Sequence, residues 1–166
     1  PTRDGIHGRE YISTSIDFGA KLSNLSFDEN GGLAVEQPPL IDIPVPFLIE
    51  LPPFGDFSDN VFESMALAAD KMGTFFIIDA KLISERLAKY KEWLAPAMES
   101  GDIEKYAELI KSSKCVELKD SPDVMQGVEK IKRISSGAIV IIRVVLGKDS
   151  EERVVELSKQ GAEVLL

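Results

Sequence analysis

Five charged side chains, Glu50, Asp79, Glu117, Lys119 and Arg143, stand near the carboxyl ends of short apolar runs: PFLIEL at 46–51, GTFFIID at 73–79, KCVELK at 114–119 and GAIVIIRVV at 137–145. If those runs are strands of a parallel sheet and the five side chains face inward, they converge at one mouth. A low local dielectric there shifts the pKa values of charged groups and suits acid–base or substrate-orienting roles. Glu50 and Asp79 are therefore candidate substrate-binding groups, and structural ion pairing among the five is the alternative. Arg143 is the most informative, because a guanidinium inside an apolar strand needs a carboxylate or a ligand; an unpaired buried charge is too costly. Period two decides which side chains face inward, and one sequence does not fix the register.

The stretch IELPPFGDFSDN at 49–60 joins the first run to a helix-like segment. Pro52 and Pro53 stop ladder pairing and fix the turn, and Gly55 lets the backbone approach a flat ligand closely. Ser58, Asp59 and Asn60 supply helix-cap groups. A tight strand-to-helix turn with no ligand is the alternative reading. Phe54 and Phe57 either cap the mouth or pack. Downstream, Ser121 followed by Pro122 opens another helix, whose N-terminus could hold a small anion.

These residues need elements to hold them. From Pro46 onward, apolar runs alternate with amphipathic segments, and a fifth run, AEVLL, ends the chain at 162–166. Val61, Met65, Ala68, Ala69 and Met72 share a helical face, as do Val124, Val128 and Ile131, then Val154, Val155 and Leu157. Caps are expected at Asn60 with Glu63, at Ser84, at Ser121 and at Ser150, which precedes two glutamates. Gly73, Gly137 and Gly161 fall where helix gives way to strand. Pro96 and ESGD at 99–102 are expected to break the long second connection in two, with Tyr90 and Trp93 packing within it.

Five strands joined by helices predict an α/β fold of parallel βα repeats, either part of a (β/α)8 barrel or an open doubly wound sheet. An open sheet would show two edges and a closed barrel none. A chain that stops within its last strand reads as a piece of something longer. Residues 1–45 differ: short β-prone segments surround Asn30-Gly31-Gly32, suited to a tight hairpin turn, and QPPLIDIPVP is extended. The expected organisation is a β-rich extension over 1–45 and a repeat domain over 46–166.

The bulk numbers narrow the chemistry. With 166 residues and 44% hydrophobic content, one ordinary core is expected. A formal charge of -9 repels a phosphate backbone, so nucleic acid is not an expected partner. Lys130, Lys132 and Arg133 read as a solvated helix face. The single cysteine, Cys115, cannot form an intrachain disulfide or by itself a zinc or iron–sulfur site, and reads as a buried structural thiol; no metal is expected. The single histidine, His7, has no obvious catalytic companion. No signal peptide and no apolar run near 18 residues appear, which predicts a cytoplasmic chain without a membrane partner.

The stretch PFLIELPPFGDFSDNVFESMALAADKMGT resembles the first strand, loop and helix of the FMN-dependent (β/α)8 barrel of the glutamate synthase large subunit, archaeal type. That family runs an apolar strand into P-M-S-F-G-A-L-S and an alanine-rich helix ending in Gly-Thr. Here the loop reads Pro52 to Ser58 and the helix ends at Gly73-Thr74. LKDSPDVMQGVEKIKRISSGAIVIIRVV is similar to the family's S-P loop, following helix and a strand ending in a basic residue. The resemblance covers 46–145 and implies an oxidoreductase that aminates 2-oxoglutarate to glutamate. Electrons would arrive through a donor subunit, and a homo-oligomer is possible. By that likeness Pro52, Pro53, Phe54 and Gly55 would touch the flavin through backbone groups, with Ser58 closing the same loop. Arg143 would stabilise negative charge near flavin N1 and O2, and Ser121, in the place of the family's S-P loop, joins Glu50 and Asp79 of the strand ends as a substrate-binding candidate. The family's T-G-E-G-G turn, cluster cysteines and S-P loop histidine have no counterpart here. The other expectation is a flavin-free barrel domain with a structural or interaction role.

Overall fold

Apolar runs bounded by proline and glycine have nowhere to bury both faces except between a helical layer and a second apolar surface, and the chain builds both. The computed structural model describes residues 16–19, 25–35 and 38–166; His7 lies outside them. Two short strands, β1 (Ile16–Gly19) and β2 (Leu40–Ile43), pair antiparallel, with Ile16 opposite Ile43 and Gly19 opposite Leu40. Between them Phe27 and Leu33 bridge across a turn in which Gly31 has φ 79°, a left-handed value that glycine adopts at no steric cost.

The main sheet has six strands, all parallel and in chain order: β3 (Ile49–Glu50), β4 (Phe76–Asp79), β5 (Leu94–Met98), β6 (Cys115–Lys119), β7 (Ile139–Arg143) and β8 (Val164–Leu165). It curls into a half-barrel with β3 and β8 as its two edges. Helices α1 (Asp59–Met72), α2 (Ala107–Ser112), α3 (Val124–Ile134) and α4 (Ser150–Lys159) fill connections between the strands. The parallel βα architecture is the one the alternation of apolar runs predicts.

Period two sorts each strand. One side gives Val116, Leu118, Val140 and Ile142, which pack with Ile110, Val124, Ile131 and Leu157 of the helices. The other gives Phe75, Ile77, Ala95, Cys115, Ile139 and Ile141, and there the N-terminal strands contribute Phe18 and Ile43. The small antiparallel sheet therefore fills the concave side, with the Phe18 and Phe75 rings 5.8 Å apart between centroids. Cys115 is wholly buried, as its apolar setting predicts, and burial foremost, with Glu117 adding, pushes its thiol pKa well up.

β5 corrects the expectation of five strands. LAPAM carries no β-branched or aromatic residue and a central proline, so it has no strand signature. Pro96 is nevertheless buried in the ladder opposite Ile78 of β4. Paired positions with β6 begin only at Ala97 opposite Glu117, after the residue that lacks an N–H. The preceding segment, Glu85–Trp93, winds as a 3-10 helix, and Leu87, Tyr90 and Trp93 recur at the three-residue spacing that puts them on one face against Ala66 and Ala69 of α1.

Several caps also shift. Ser58, not Asn60, precedes α1, and Glu63 turns away to Arg86 and Lys89 at 2.6 and 2.7 Å. Asp123 rather than Ser121 precedes α3, which starts later than its serine, and Asp149 rather than Ser150 precedes α4, whose first residue is Ser150 itself. Ser84 does precede the 3-10 segment but makes no capping bond with its side chain. Gly73 ends α1 at φ 66°, and Gly161 has φ 90° before β8. Lys132 departs from a solvated face: its ammonium donates to Glu163 at 2.6 Å and to the carbonyl of Ala138 at 2.7 Å.

Candidate functional site

At the carboxyl ends of the strands the concave face opens into a cleft of about 940 Å³. Three elements make it. The loop after β3 contributes Leu51 to Phe57, the floor comes from Ile77 and Ala97, and charge comes from Glu50, Asp79, Lys81, Lys119 and Arg143. Pro52 and Pro53 stiffen the loop directly after the edge strand, and Phe54 is left 76% exposed at the rim. Gly55 has φ 90° with only the Phe57 ring within 4 Å of where a Cβ would stand, so the backbone is accessible from the open side.

Arg143, the last residue of β7, is the charged centre of this mouth. Glu117, one strand over and only 2% exposed, accepts from Nε at 2.9 Å and from Nη2 at 2.8 Å, a bidentate pair. Glu50, from the edge strand β3, accepts from the same Nη2. Hydrogen bonding from Glu117 is the largest influence on the guanidinium, burial works against it, and Glu50 adds to it, so its pKa rises further above an already high value. The half-buried arginine thus has the carboxylate partner its apolar strand requires, and two of them.

Asp79 ends β4, where its Oδ1 accepts from the Lys81 backbone N–H at 3.1 Å and its Oδ2 pairs with the Lys81 ammonium at 2.8 Å. Burial alone would raise its pKa, but the two Lys81 bonds and the more distant Lys119 outweigh it and hold the carboxyl below the ordinary range. Asp79 in turn raises the Lys81 pKa. Lys119 leans to Glu99 at 3.4 Å.

Of the residues singled out from sequence, Glu50, Pro52, Pro53, Phe54, Gly55, Asp79, Lys119 and Arg143 line this one cleft, with Glu117 paired to Arg143. Ser58 stands at the start of α1, where its carbonyl accepts from Val61 and Phe62. Ser121 is not with the others: its hydroxyl donates to Asp123 Oδ1 at 2.8 Å and lies 3.4 Å from Ser100 Oγ in the turn after β6. Beside it Arg153 forks onto Asp120, Nη2 to Oδ1 at 2.7 Å, and also donates to the Ser121 carbonyl at 2.9 Å. Sequence reasoning passed over Lys81 and Ala97. Lys81 lies off the strand, yet the spacing Asp79-Ala80-Lys81 was readable as a carboxylate receiving its own backbone two residues on. Ala97 lies in the strand without a signature. Among the described residues no group of acidic, histidine or cysteine side chains is placed to hold a metal ion, and no helix is long and apolar enough to cross a membrane.

No family model and no solved structure matches this chain. Two curated proteins do, both described as archaeal-type glutamate synthase [NADPH]. The one from Thermotoga neapolitana is 26% identical over 132 residues, which is 77% of this chain and 25% of that protein. The one from Dehalococcoides mccartyi is 26% identical over 120 residues, 72% of this chain and 24% of that protein. The chain spans about a quarter of the length of these curated relatives. At that identity and coverage, the matches support a distant relation to archaeal-type glutamate synthases.

Proposed function

We propose that this chain is the opening part of a glutamate-synthase-like, FMN-dependent βα barrel, and that its mouth receives the ring end of the flavin. One observation carries the reading: a stiff proline loop, an apolar floor and an arginine, drawn from β3, β4, β5 and β7, line one cleft of about 940 Å³. A planar aromatic system fits a low floor of Ile77 and Ala97 with backbone groups of Pro52 to Gly55 along one side and a cation at the end. The phosphate end of FMN has no comparable place among the described residues. The first turns of α1 and α4 carry Asp59, Glu151 and Glu152, and Asp123 precedes α3, so these N-termini repel an anion rather than hold one. The ring is the part this segment would contact.

In the complete enzyme, the chemistry supplied by a bound flavin would be the electron pair for reduction of the imine formed from 2-oxoglutarate and ammonia. This chain's residues would do the rest at the mouth. Pro52 to Gly55 would orient the ring through backbone groups, Arg143 would stabilise negative charge at its N1 and O2 positions, and Asp79 with Lys81 would fix the substrate-facing rim. A donor subunit would deliver the electrons from a reduced nicotinamide or ferredoxin.

A second reading has its own observation. Arg143 is already answered by two carboxylates, which suits a barrel segment that has lost its cofactor and serves a structural or interaction role. The absorption spectrum separates the two. The protein is purified from its full reading frame, supplied with FMN and dialysed. Bands retained near about 375 and 450 nm, roughly where oxidised flavin absorbs, support the oxidoreductase and lead to assays of 2-oxoglutarate turnover. A colourless protein favours the flavin-free module.

A further inference from the structure

A guanidinium presents two forks of donors, a side-on edge made by Nε and Nη2 and an end-on edge made by Nη1 and Nη2. Glu117 takes the side-on edge of Arg143 with both oxygens, at 2.9 and 2.8 Å. Glu50 reaches the end-on edge with one oxygen only, on Nη2. Among the described residues no acceptor meets Nη1. The second fork is half used.

The two carboxylates also differ in where they stand. The Glu117 side chain is 3% exposed and comes from the adjacent strand β6, whereas that of Glu50 is 50% exposed and comes from the edge strand β3 across the concavity. A buried bidentate partner is a fixture, because its removal strands a charge away from water. A half-exposed, single-bonded partner adds little stability and returns to water cheaply. Glu50 and Arg143 both line the mouth cleft and also the neighbouring apolar groove of about 510 Å³, walled by Phe18, Phe47, Leu48, Val164 and Leu165. The ion pair stands at the junction of two open spaces.

We infer that Glu50 is a displaceable counter-ion and that the end-on edge of Arg143 is the docking point for a planar group presenting two coplanar acceptors. Such a ligand engages Nη1 and Nη2 together where Glu50 engages one, and the swap leaves the Glu117 pair intact. A carboxylate offers this edge with its two oxygens, and the N1–C2–O2 edge of a flavin offers a similar one. The flavin source rests on the reading proposed above; the carboxylate source does not.

The test uses the full-length protein, wild type and Glu50→Gln, titrated separately with benzoate and with FMN. Affinity is read by calorimetry, and the site by the side-chain N–H resonances of Arg143. Glu50→Gln keeps the size of the side chain and removes the competing charge. It is expected to tighten at least one probe by about three- to tenfold, with the Arg143 resonances moving in the wild type as that probe saturates. A gain for benzoate alone assigns the edge to a small carboxylate and removes the flavin reading while the inference stands. A gain for FMN alone assigns it to the flavin. Equal affinities in the two proteins, binding that leaves Arg143 unmoved, or no binding of either probe overturns the inference, even if FMN is retained elsewhere on the protein. The wild-type resonances read the edge directly, so the outcome does not depend on an Arg143 variant that could fail to fold.

Discussion

Asp79 sits between opposed influences: partial burial raises its pKa, and two bonds from Lys81 lower it further than burial lifts it. A carboxyl depressed in the folded state adds stability above its unfolded value of about 3.9 and loses that contribution as the pH falls through the lowered folded value. Asp79→Asn should therefore cost about 0.5 kcal/mol at neutral pH, the small value befitting a mostly exposed pair. The difference from wild type should vanish in acid, when the native carboxyl is itself protonated. Urea unfolding of both proteins at pH 7 and well below pH 3.9 checks this; an undiminished gap in acid would mean that shape, not charge, sets the cost. At this scale residue type was legible and partnership was not. A charged residue inside IVIIRVV announces that it must be paired, and the strand-end carboxylates were its candidate partners, but which of them meets it was not legible, because strand register and sheet curl decide that contact.

Elements show where close approach overrides propensity. Gly127 lies inside α3, where alanine would ordinarily favour the helix by about 1 kcal/mol. A Cβ there would stand 2.9 Å from Ser100 Oγ and 3.1 Å from the Leu118 methyl, so these side chains must give way if the helix is to lie this close to β6 and the 3-10 turn before α2. Gly127→Ala is expected to lose a net 1 kcal/mol or so, overpacking outweighing the helical gain, with chemical denaturation as the measure; a stabilised variant would show that Ser100 and Leu118 yield freely. Helices α1, α3 and α4 were legible from their apolar faces, since one amphipathic period suffices. β5 was not, because LAPAM is held in place by Ile78 on one side and by β6 on the other rather than by its own preference. The 3-10 segment before it was half legible in the spacing of Leu87, Tyr90 and Trp93, a period of three that resembles a poor α-helix unless it is counted.

Across the whole molecule, protection should follow depth in the sheet. Strands β5, β6 and β7 are hydrogen-bonded on both flanks, while β3 and β8 are edges of two paired residues each. Native-state amide exchange should be slowest in Cys115–Lys119 and Ile139–Arg143 and fastest at the two edges; uniform protection would mean that the edges are covered in solution. The alternation of runs and helices made the parallel sheet legible, but not the packing of the N-terminal strands into its concavity, since no local pattern says where a detached hairpin docks. That packing bears on synthesis. Phe18 leaves the ribosome well before Ile139, with which it shares a core, a delay of about 6–24 s at about 5–20 residues per second. Through that interval only part of the docking surface, from Phe75 to Cys115, has been made and the β7 residues Ile139 and Ile141 are still missing, so the hairpin's final seating belongs to the end of folding. A chaperone that shields short apolar hairpins would find its longest opportunity there.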